Sequence, residues 1–165
     1  MYLLDTPIVL ELRGAKASGA DAKLIAWAGG VPRQSLFLSA LSLLELETGA
    51  TRLAADRDKA GAAALRDWIE GPVARAFEGR ILALDAAVMR RAARLSYADM
   101  RDALIAATAL EQGLTLVTRK AAAFKAGKVR LFNPMGYTPE ADSLDDWRQA
   151  TKGPSPWLRG LFNRS

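Results

Sequence analysis

The side chains placed to do chemistry in this sequence are all acids. Asp5 ends the apolar run Met1-Tyr-Leu-Leu, Glu45 lies between leucines in a long helical pattern, and Asp99 and Asp102 stand three residues apart where an Ala- and Leu-rich helix begins. An acid at a helix start complements the helix dipole, which accounts for Asp102 taken alone. Asp5 alone fits a charged turn residue, and Asp99 alone a solvated one. Their chemical meaning comes from what the chain lacks. It has no histidine and no cysteine, so Ser-His-Asp triads, Cys-His dyads, His-ligated zinc and a histidine general base are excluded. Hydrolysis would rest on carboxylates, Lys, Ser, Thr or Tyr, and oxygen-only ligation selects a hard cation, Mg²⁺ or Mn²⁺. The net charge is +5, and an acidic site in a basic protein suits a polyanionic substrate held through a divalent metal; plain solubility explains the same charge.

The elements that position these acids follow from periodicity. Met1 to Asp5 reads as a short buried strand, with Thr6 as N-cap and Pro7 at the first helical position of a helix to Arg13 that Gly14 closes. Gly19 to Trp27 reads as a second helix, ended by Gly29-Gly30. Leu36 to Ser39 is a strand and Ala40 to Leu53 a helix in which the flanking leucines draw Glu45, more than Glu47, toward the apolar side. An unpaired carboxylate there is costly unless it holds a partner or a metal. Asp58 to Phe77 is helical and kinked or divided at Pro72, Arg80 to Leu84 is a strand, and Asp85 is the N-cap of a helix to about Leu95. The stretch from Asp102 to Leu110 is a helix stopped by Gly113, leading into the buried strand Leu114 to Val117. Val129 to Phe132 is a last strand, closed by Asn133-Pro134. Strands alternating with helices imply an α/β fold: three α/β/α layers around a mostly parallel sheet of four to five strands. An acid at the carboxyl end of the first strand then lies in the crevice where such sheets bind ligands.

With 165 residues, 50% of them hydrophobic, the chain is long enough for one domain with a real core. The boundaries expected are one domain over 1–135 and a C-terminal tail over 136–165, docked or partly mobile, with Trp147 and Trp157 as anchors. No apolar run approaches the roughly 18 residues of a membrane span, and Asp5 interrupts the first apolar stretch too early for a signal peptide; the expected location is the cytoplasm. From Gln112 to Pro139 there is no acid, while Arg119, Lys120, Lys125, Lys128 and Arg130 are basic. That run is the electrostatic footprint of a nucleic-acid binder, or else a solvated face.

Five segments in order carry a resemblance: Tyr2-Leu-Leu-Asp5-Thr6, Ser39-Ala-Leu-Ser-Leu-Leu-Glu45-Leu-Glu-Thr-Gly49, Asp102-Ala-Leu-Ile-Ala-Ala-Thr-Ala, Leu116-Val-Thr-Arg119 and Phe132-Asn-Pro134. Together they resemble the PIN-domain family, and within it the VapC-type ribonuclease toxins of bacterial toxin–antitoxin pairs. The resemblance implies metal-dependent RNA cleavage with Mg²⁺ or Mn²⁺, a homodimer, and silencing by a small antitoxin from a neighbouring gene. Carried over by motif, Asp5, Glu45 and Asp102 are the catalytic and metal-binding acids, Thr6 and Thr118 the supporting hydroxyls, and Asp99 a further supporting acid. Arg119, Lys120 and Arg130 would hold the RNA backbone. Two positions depart from the pattern. Pro7 stands where relatives have Asn, and the fourth acidic or amide position is Lys120 or Ala123, neither an oxygen donor. That departure leaves room for a second function, a catalytically weakened domain that binds RNA or an antitoxin. A third reading is a phosphotransfer pocket: its haloacid-dehalogenase-like form needs a second Asp two residues after Asp5, where Pro7 stands, and its receiver form needs an acceptor Asp ending a central strand, which Leu36 to Ser39 and Ile81 to Leu84 do not supply, although Asp85 follows the second.

Overall fold

A computed structural model describes residues 1–14, 21–137 and 156–161 of the chain. The side chains of Pro156, Trp157 and Arg159 lie outside that description. Five strands form one sheet: β1 (Tyr2–Leu4), β2 (Leu36–Ser39), β3 (Ile81–Leu82), β4 (Thr115–Val117) and β5 (Leu131–Phe132). Every pairing is parallel and the order is β3-β2-β1-β4-β5. Register sets Leu3 beside Phe37 on one side and Leu116 on the other, so β1 is the central strand. The chain winds outward from β1 in both directions, and the crevice between β1 and β4 is the topological switch point.

Alternate residues of the strands feed two cores. Leu4, Leu36, Leu38 and Val117 face α1 (Thr6–Arg13), α2 (Ala22–Gly30), α3 (Ala40–Ala55) and α4 (Lys59–Trp68), through Ile8, Leu12, Leu24, Trp27, Leu46 and Trp68. Leu3 and Leu116 face the other side, against Ile105, Ala106 and Phe124. That second layer holds α6 (Ala86–Ala92) and α7 (Met100–Glu111), packed on each other through Val88, Ala92, Ala103 and Ala107. The expected three-layer α/β/α architecture with a parallel sheet is present.

The elements differ from expectation mainly at their ends. The Leu36 to Ser39 strand has the expected bounds, while the other four are shorter, most of all the edge strand expected over Arg80 to Leu84, which pairs over two residues with its one neighbour. Helix α2 starts at Ala22 with Asp21 as its cap, taking the amide of Lys23 at 2.8 Å, and runs through both glycines to Gly30. Of the expected start at Gly19, residues 19 and 20 lie outside the described residues. Pro72 divides the fourth helix as its missing N–H requires: α4 gives way to a π turn over Ile69–Val73 before the short α5 (Ala74–Ala76). Gly113 sits at φ +62° between α7 and β4, where a side chain would strain the turn. The tail expectation for 138–155, with Trp147, lies outside the described residues. The segment α8 (Pro156–Leu161) packs onto the first core through Leu158 and Leu161, and Trp68 Nε1–H donates to the Leu161 carbonyl at 2.6 Å. Among the described residues no helix is long and apolar enough to cross a membrane.

Candidate active site

A cavity of about 450 Å³ opens at the carboxyl ends of β1 and β4, and Asp5, Glu45, Asp99 and Asp102 all line it. Asp5 follows β1 directly and occupies the N-cap position of α1, yet its side chain makes no capping bond. Pro7, in the first turn, has no N–H to offer it. The Asp5 carboxylate is therefore free to face the cavity, and Thr118 Oγ1, after β4, donates to its Oδ2 at 2.7 Å. Thr118 is fully buried and Asp5 is 9% exposed. Thr6 Oγ1, on the other side, donates to Glu45 Oε2 in a short hydrogen bond that ties the start of α1 to α3. Glu45 reaches the cavity rather than the core: Leu46 is buried, while Leu44 is 61% exposed and itself lines the cavity. Asp99 caps α7 by accepting the Arg101 amide at 2.9 Å, and Asp102 is the acid of that helix's first turn.

Burial is the strongest influence on Asp5 and pushes its carboxyl above the ordinary carboxylate value; the Thr118 hydroxyl, the Lys120 ammonium and the Thr6 amide pull it back, and Glu45 adds a further push upward. A desolvated carboxylate beside a second one is a group that gains from a nearby cation. Two side chains supply one. Arg101 Nη1 stands 3.8 Å from Glu45 Oε1, and Lys120 Nζ stands 4.0 Å from Asp102 Oδ1.

The oxygen-only donors fit a hard divalent ion in kind. Among the described residues no three acids are gathered tightly enough to hold one ion with the side chains as they stand; Glu45 and Asp102 instead face Arg101 and Lys120. The oxygen donors on the wall that could hold one are Asp5, Glu45, Asp99 and Asp102, with Thr118 hydrogen-bonded to the first and Thr6 to the second.

The basic residues separate. Lys120 lines the cavity. Arg119 points away from it, donating to Glu11 Oε2 at 3.0 Å and approaching Met135 Sδ at 3.4 Å. Arg130 lies at the other end of the sheet, before β5, where its guanidinium donates to the Gly113 carbonyl that precedes β4. Ala123, the alternative fourth position, is exposed and does not line the cavity. The cavity wall adds residues the sequence did not single out: Arg52 and Arg101 among the cations, and Leu10, Leu41 and Ile105 among the apolar groups. Arg52 was legible as the residue seven after Glu45, two helical turns along the same face.

A parallel sheet with carboxylates from three separate elements meeting at its switch point defines a class of α/β domain, and the chain belongs to the PIN-domain family, whose model matches residues 2–126. Among relatives, it is 30% identical to the VapC ribonuclease Y4jK of Sinorhizobium fredii, over 81% of this chain and 97% of the other. It is 32% identical to toxin FitB of Neisseria gonorrhoeae, over 81% and 98%. The crystal structure of FitAcB from the same organism superposes with a TM-score of 0.73 at 30% identity, covering 83% of this chain and all of that one.

Proposed function

We propose that this protein is a metal-dependent endoribonuclease, the toxin of a type II toxin–antitoxin pair, and that Asp5, Glu45 and Asp102 are its catalytic acids. The observation that carries the reading is the convergence of these acids, from positions far apart in the chain, on one cavity where Thr118 and Thr6 hold two of them. Relatives named as a VapC ribonuclease and a toxin support it. PIN-domain nucleases generally use divalent metal ions; here the ion is Mg²⁺ or Mn²⁺. When bound, such an ion lowers the pKa of a water and offsets charge on the phosphate. The chain's own residues do the rest. Asp5 is the low-solvent anchor, its ionised form supported by the hydrogen bond from Thr118 against the burial that raises its pKa. Glu45 of α3 and Asp102 of α7 also line the cavity, and one of these carboxylates accepts the proton of the attacking water, since no histidine is available. Arg52, Arg101 and Lys120 ring the acids and hold the phosphate backbone. The partners are an RNA substrate and a small antitoxin from a neighbouring gene, with the chain itself a homodimer.

A second reading keeps the fold and the partners but not the turnover: a domain that binds RNA or antitoxin and cleaves weakly. The Lys120 ammonium beside Asp102 favours it. One experiment separates the two. Folded, antitoxin-free protein is incubated with a mixed RNA pool in Mn²⁺ or Mg²⁺, beside Asp5→Asn and EDTA controls. Cleavage that EDTA and Asp5→Asn both abolish establishes the nuclease. No cleavage by the intact chain overturns the nuclease reading and favours the binding module.

A further inference from the structure

Lys120 is held in the cavity by more than its own flexibility. Its backbone N–H donates to Thr118 Oγ1 at 3.0 Å, the same hydroxyl that donates to Asp5, so the lysine and the buried acid share one hydrogen-bonded chain. The 3-10 turn that follows, Ala121–Gly127, is seated by Phe124, which is fully buried. Tyr97 Oη–H donates to the Phe124 carbonyl at 3.1 Å. The same phenol lies against Gly127 so closely that a Cβ there would collide with it. The end of the side chain stands 4.0 Å from Asp102 and its charge also acts on Asp5.

The charges on the wall give this placement a meaning. Four carboxylates, Asp5, Glu45, Asp99 and Asp102, face three cations, Arg52, Arg101 and Lys120, leaving one negative charge. One divalent ion turns that into one positive charge, which a phosphodiester, carrying one negative charge, neutralises. A second divalent ion would leave the cavity strongly positive. We propose that Lys120 supplies, from within the chain, the charge a second divalent ion would bring, so that the site takes a single ion and stabilises the phosphate with the ammonium on its Asp102 side. The proposal rests on the metal-dependent reading above.

Counting bound Mn²⁺ tests it without reference to activity. Free Mn²⁺ is followed by electron paramagnetic resonance during titration of the full chain, of Lys120→Met and of Lys120→Asp, with Asp5→Asn as the control for the site. The lysine side chain is 57% exposed, so the variants keep the fold, and melting curves verify that they do. The expected result is one Mn²⁺ on the wild type, one on Lys120→Met with severalfold tighter binding, and two on Lys120→Asp. Two ions on the wild type, only one on Lys120→Asp, or unchanged affinity in Lys120→Met would each overturn the proposal while leaving a metal-dependent site in place. No Mn²⁺ on the wild type or on either variant would overturn the metal reading itself, and the proposal with it.

Discussion

Asp5 is asked for opposite things by fold and site. Burial raises its pKa, so in the metal-free folded chain the charged form is disfavoured relative to the unfolded chain. The sign follows from linkage. As pH rises through the ordinary carboxylate value of 3.8, the unfolded chain releases the proton before the folded one does, and the stability contributed by Asp5 falls until the folded group has ionised as well. At neutral pH Asp5 is therefore a net burden on the metal-free fold. Asp5→Asn, which keeps the shape and can still accept from Thr118, is expected to raise the Tm at pH 7 while abolishing cleavage. The gain should shrink as pH drops toward the carboxylate range; thermal melts in EDTA across that range check it. Thr118→Val removes the hydroxyl that holds Asp5 and should cost about 10–100-fold in metal affinity, the usual penalty for losing a group that orients a ligand, with the Mn²⁺ titration as the readout. Of the acids, Asp5 and Asp102 were legible from strand and helix boundaries. Glu45 was singled out for its leucine neighbours, whereas the structure shows Leu44 facing the cavity beside it. A leucine in a sequence does not say whether its face meets a core or the wall of an open cleft.

Elements were easier to find than their ends, and charge runs in the sequence misled about space. Arg119, Lys120 and Arg130 belong to one basic stretch, but a parallel connection carries the chain from the carboxyl end of β4 back to the amino end of β5. Arg130 thus emerges on the far side of the sheet from Lys120. No periodicity within the stretch reports that crossing; the parallel pairing does. The short α8 makes its own prediction. Trp68→Phe puts a smaller ring in a buried position and leaves the Leu161 carbonyl without its indole donor, and should cost about 1–3 kcal/mol for the unpaired acceptor alone. Leu158→Ala, which empties a fully buried position, should cost about 2 kcal/mol or more. Denaturant unfolding of both variants beside the wild type checks that this segment belongs to the cooperative core.

The whole molecule carries a net charge of +5 around an acidic cleft. An RNA backbone is drawn to the protein in general, and to the cleft by Arg52, Arg101 and Lys120 at its wall. Binding should weaken linearly in log salt concentration, and Arg52→Ala should lower that slope by about one unit, measured by fluorescence anisotropy with single-stranded RNA in EDTA so that cleavage does not interfere. The architecture was legible because strands and helices alternate regularly along the chain. The full composition of the cleft was not: Arg52 shares a helix with Glu45 and Arg101 shares one with Asp102, but their meeting with Asp5 and with Leu10 of α1 depends on how separate elements pack.

Thr118 closes the hydrogen-bonded set on Asp5 from a position 113 residues further along the chain. The central strand, made first, acquires its second neighbour only when β4 has been synthesised. A chain cut short just before β4 already carries Asp5, Glu45 and Asp102, yet lacks the strand and the hydroxyl that complete the set around the first of them.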